Sequence, residues 1–79
     1  MTAREAYITL TAHAKESGVI NPNHRMALRI PAAKATPDQL AQAASRAMSM
    51  NDRRSQYAGH WPHSIKWMMS LVSAMGLGR

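Results

Sequence analysis

The apolar positions of the chain fall into three stretches with helical spacing, and the richest runs from Trp61 to Met75. At 3.6 residues per turn, Trp61, Ile65, Met68, Val72 and Met75 share one face, and Trp67, Met69, Leu71 and Ala74 widen it on both sides. His63, Lys66, Ser70 and Ser73 recur three or four apart as a narrow polar stripe. Pro62 suits the first turn of a helix, where its missing N–H would be unpaired anyway, and Gly76 is a natural stop. A helix this apolar is normally buried against several neighbours or a second subunit. The pattern makes it the expected organising element of the fold.

A second helical pattern opens the chain. Thr2 and Glu5 form a Thr-x-x-Glu capping box, in which the hydroxyl accepts from the third helical amide and the carboxylate reaches back to the cap amide. Ala3, Ala6, Tyr7, Leu10 and Ala14 follow at helical spacing, Lys15 sits near the negative end of the dipole, and Gly18 closes the element. The prediction is a helix from about Ala3 to Ser17. Residues 7–12 also alternate as a strand would, with Ile8, Leu10 and Ala12 on one side. The capping box and the alanines favour helix.

Val19 and Ile20 are expected to fold back after the Gly18 stop. Residues 25–30 alternate apolar and basic side chains, but a single strand with no evident partner is a poor proposal. A short helix over Pro22–Arg29 is predicted instead, ending before Pro31. After a linker, Thr36-Pro37-Asp38-Gln39 is the clearest helix start in the chain, with a Thr cap, Pro at the first position and Gln at the third. Leu40, Ala43, Ala44, Ala47, Met48 and Met50 supply its buried face; Asn51-Asp52 is a weak point, and Gly59 the next stop.

These patterns predict an all-α fold: a small compact bundle of three main helices with a short extra helix, in a single helical domain over residues 1–79. A chain of this size buries only about 60% of the surface it exposes when unfolded, and without cysteine no disulfide adds to its stability. Apolar surface left over around Trp61, Trp67, Leu71 and Ala74 is therefore expected to form an interface, with a homodimer through the last helix as its simplest use. The longest apolar stretch is shorter than a membrane span needs and holds Lys66, and the first residues do not read as a secretory signal. The expected location is the cytoplasm, with no membrane partner.

Charge changes the picture most. Ten Lys and Arg face four Asp and Glu, a formal charge of +6, which favours an acidic partner: nucleic acid, or a host protein or ribonucleoprotein. The densest basic cluster is Arg46, Arg53, Arg54, His60, His63 and Lys66, with Tyr57 and Trp61 among them. Arginine pairs bidentately with phosphate, and aromatic rings stack on bases, so the combination suits nucleic acid. The plainer alternative makes the aromatics core anchors and the charges a solvated face. Arg25 and Arg29 extend the cluster or face water.

Other chemistry finds little support. A helix-turn-helix needs a turn, usually with glycine, and the stretch from Leu40 to Tyr57 has none. His60-x-x-His63 supplies two imidazoles, whereas zinc takes four ligands or three and water, so no metal or other cofactor is expected. No nucleophile motif, glycine-rich phosphate loop or close carboxylate pair is present, and the expectation is a non-enzymatic protein. Three functions fit: a basic binding module that contacts nucleic acid or a nucleic-acid-handling complex, a phage-type inhibitor or anti-defence protein that docks stoichiometrically on a host complex, or an accessory subunit of a larger assembly.

Overall fold

The computed structural model describes residues 1–57 and 62–78, the side chains of Ser55, Tyr57, Pro62 and His63 excepted. Four helices appear among them: α1 (Ala3–Glu16), α2 (Pro37–Asp52), the single turn α3 (Arg54–Tyr57) and α4 (Pro62–Ala74). No strand occurs among the described residues, so the chain is an all-α bundle of three main helices. The single turn α3 follows the break at Asn51-Asp52 that the sequence marks, and the short extra helix expected over Pro22–Arg29 does not form.

Both capping boxes form. Thr2 Oγ1 accepts from the Glu5 N–H at 3.1 Å, and the Thr2 N–H donates to Glu5 Oε1 at 2.8 Å. Thr36 and Gln39 repeat the exchange at 3.2 and 2.9 Å. Two of the amides left orphaned at each helix start are thereby satisfied. Two of the three glycine stops form as well, and the third, Gly59, lies outside the described residues. Gly18 and Gly76 take φ of 75° and 71°. Val19 N–H then donates to Ala14 O, and Leu77 N–H to Val72 O, both at 2.9 Å, which is the Schellman closure.

The core lies between α1, α2 and α4, each packed on the other two. Ala6, Leu10 and Ala14 of α1 meet Ala43, Ala44, Ala47 and Met50 of α2 and Ile65, Met68, Leu71 and Val72 of α4. Spacings of three and four decide the ambiguity of residues 7–12: Leu10 is fully buried, whereas Ile8, its neighbour in a strand pattern, is exposed. On α2 the face is narrower than expected, because Leu40 and Met48 are only half-buried.

Two expectations are overturned. Residues 22–29 are not helical. They form consecutive turns in which His24, Ala27 and Ile30 N–H donate to the carbonyls of Asn21, His24 and Ala27 at 3.0, 2.8 and 3.1 Å. The Asn21 side chain sets the first turn by accepting from the Asn23 N–H at 2.8 Å. Carbonyls later in the segment are occupied by side chains of α1: Tyr7 Oη–H donates to Met26 O at 2.8 Å, and Lys15 Nζ donates to Ala27 O at 2.9 Å and Ile30 O at 2.6 Å. Tertiary donors thus replace a helical ladder.

The second correction concerns α4. Leu71 is 2% exposed and belongs to the core, and Trp67 is half-buried. Ala74 is exposed, but no large apolar side chain of α4 is, among the described residues. Of the flank expected to carry a homodimer, Leu71 is therefore covered within the chain, while Trp67 is half-buried, Ala74 is exposed and Trp61 lies outside the described residues. Thr11 and Ala12 of α1 are also buried, outside the Ala6–Leu10–Ala14 stripe, and Thr11 bonds Trp67 of α4. The returning segment ties to this helix too, with Ala33 N–H donating to Ala12 O at 3.2 Å.

Candidate nucleic-acid interface

Trp67 is the floor of the most distinctive surface feature. Its indole Nε1–H donates to Thr11 Oγ1 at 3.2 Å, which satisfies the polar end of a ring otherwise placed against the core. His24 lies over it, with ring centroids 4.4 Å apart and planes inclined by 23°, a stacked pair. The turns hold His24 in place. Its Nδ1 accepts from the Met26 N–H at 3.1 Å, so the neutral ring carries its proton on Nε2.

Around this pair is a groove of about 300 Å³ lined by His24, Arg25, Met26, Lys66, Trp67 and Ser70. Arg25 and Lys66 are both exposed and come from segments some forty positions apart. Among the described residues no carboxylate lines the groove, so Arg25 and Lys66 border a flat aromatic surface without an acidic neighbour there. The Ser70 hydroxyl donates to the Lys66 carbonyl at 3.1 Å within its own helix. Behind the groove, burial pushes the Tyr7 phenol above its ordinary value, and Arg4 opposes the shift. The phenol thus stays protonated as the donor to Met26 O.

Of the basic residues singled out in the sequence, Arg46 and Lys66 line different hollows. Arg46 lines a different hollow of about 500 Å³, with Met1, Ala41, Gln42, Ser45 and Ser49, and shares no lining residue with Lys66. Arg53 and Arg54 are exposed at the junction of α2 and α3. His60 and Trp61 lie outside the described residues, as does the side chain of His63. Lys66 is joined instead by His24 and Arg25. Sequence periodicity treats Arg25 only as an extension of the cluster and passes over His24, because a loop's position against a helix leaves no periodic trace. Among the described residues, no three His, Asp or Glu side chains come together as a metal site would require. None of the described helices is long and apolar enough to cross a membrane.

Comparison of the chain with protein-family models, curated proteins and solved structures gave no match.

Proposed function

We propose that the protein is a non-catalytic binding module that docks on nucleic acid through the groove of His24, Arg25, Lys66 and Trp67. One observation carries the reading: Arg25 and Lys66, from distant parts of the chain, border the same groove beside a fixed aromatic pair. Guanidinium and ammonium groups bind phosphate, the first in a fork and the second as a point charge. The formal charge of +6 adds a long-range attraction for any polyanion. The exposed Arg53 and Arg54 add to that field.

Fluorescence anisotropy with labelled oligonucleotides tests this reading. Affinity should fall steeply between about 50 and 200 mM salt, because phosphate binding releases counterions. Arg25→Glu with Lys66→Glu should weaken binding and flatten the salt slope, by about 0.7 per lost phosphate contact on a single strand. Arg53→Glu with Arg54→Glu should weaken it less. Equal binding by the wild type and the Arg25/Lys66 pair would remove the groove from the interface. Failure of every oligonucleotide to bind, together with recovery of one acidic protein at fixed stoichiometry, would replace this reading with the inhibitor or subunit role.

A further inference from the structure

We infer that the groove takes one unpaired nucleobase, stacked on the open face of the His24 imidazole, so that single-stranded nucleic acid is its ligand class. The inference rests on the nucleic-acid reading above and adds a strand preference to it. His24 is exposed and lines the groove, while Trp67 covers one face of its ring at a centroid distance of 4.4 Å. Because His24 remains exposed with Trp67 stacked on it, ring surface is left to accept a third layer. Bases stack on aromatic rings with little regard for sequence, since every base has a π-face. In a duplex those faces are covered by neighbouring bases, and only edges and backbone are presented. A protein that binds through a flat ring therefore favours a strand whose bases are unpaired.

The platform is held before any ligand arrives. Trp67 is tied to Thr11, and the His24 ring is tied to the Met26 N–H. Met26 is in turn anchored through its carbonyl by Tyr7. Little ordering remains to be done on binding, which favours affinity. Size limits the ligand. About 300 Å³ is at the lower end of small-molecule sites, enough for one base rather than a stacked run. Arg25 and Lys66 on the same groove are then available to the phosphates flanking that base.

The test compares an oligothymidylate, an abasic strand of equal length and charge, and a duplex of the same length. The thymidylate should bind about tenfold more tightly than the abasic strand. The duplex should bind more weakly than the thymidylate. In a Trp61→Phe background, thymidylate should quench the fluorescence of Trp67 and the abasic strand should not. His24→Phe keeps a ring and should keep the thymidylate advantage. His24→Asn keeps an acceptor for the Met26 N–H but has no ring, and should lose the advantage. Equal affinity for the abasic and thymidylate strands would overturn base stacking and leave the phosphate-binding groove standing. So would duplex binding as tight as single-strand binding, or a full thymidylate advantage in a folded His24→Asn. If none of the three ligands binds at low salt, the inference and the nucleic-acid reading fail together.

Discussion

Trp67 in α4 and Thr11 in α1 are joined across 56 positions of sequence by a hydrogen bond from indole Nε1–H to hydroxyl Oγ1, 3.2 Å long. Thr11 is completely buried, so water cannot take its place as acceptor. Thr11→Val keeps the shape and removes that acceptor. It should destabilise the fold by about 1–3 kcal/mol, the cost of leaving a buried donor unpaired. Urea unfolding would measure this. A loss near zero would mean that the indole N–H finds another partner.

Leu71→Ala should cost about 2–5 kcal/mol, because Leu71 is a core residue whose removal leaves a cavity between helices. Leu40→Ala should cost distinctly less, since Leu40 is only partly buried. A reversal of that order in thermal or chemical unfolding would contradict the packing of α4 on α1 and α2.

Lys15→Met should act at a distance. It removes the ammonium that bonds the carbonyls of Ala27 and Ile30, while keeping much of the apolar stem. Hydrogen bonds from charged donors are worth about 1.5–3 kcal/mol, so the turns over residues 21–30 should loosen. Hydrogen exchange at the Ala27 and Ile30 amides should accelerate more than at Leu10 in the core. Oligonucleotide binding should weaken as well, although Lys15 does not line the groove. Unchanged protection at both amides would remove Lys15 as the anchor.

Tyr7 gives the fold a sensitivity to alkali. Its phenol is held above its ordinary value of 10.0 by burial, which favours the protonated form in the folded state. That contribution is complete below the ordinary value and is lost as pH rises through the folded one. Wild-type stability should therefore decline more steeply above pH 10.0 than that of Tyr7→Phe, which has no phenol to ionise. Parallel pH profiles would refute the linkage.

Gly76→Ala isolates a backbone effect. A methyl group there meets nothing within 4 Å, so any cost comes from φ of 71°. The expected loss is about 1–2 kcal/mol, the penalty of a left-handed conformation for a residue with a Cβ. Thermal unfolding at neutral pH would detect it, and an unchanged midpoint would show that α4 can end without the Schellman closure.

Local chemistry could be read in the sequence almost residue by residue. The two capping boxes, the Pro37 start, the Gly18 and Gly76 stops and the Ile65–Met68–Val72 face all appear where spacing and side-chain type place them. The hierarchy of the helices could not. Periodicity makes α4 the centre because it is the most apolar, yet α1 is buried on two faces and touches α2, α4 and the turns. Alanine and threonine conceal that role, for both score low on hydrophobicity while allowing close approach. The groove was hidden for a related reason. His24 and Arg25 meet Lys66 and Trp67 only because Tyr7 and Lys15 bond main-chain carbonyls, and every residue type presents the same carbonyl.

That last property frees the outward side chains of the turn segment. Its course is held by bonds to Met26, Ala27 and Ile30 through their backbone oxygens, which survive any substitution of the side chains around them. Arg25, Leu28 and Arg29 point into solvent without supporting the scaffold. Mutational drift at these positions can alter the contact surface while the bundle beneath keeps its stability. The segment is thus an exchangeable surface on an independently held bundle, suited to diversification in a library of residues 25, 28 and 29.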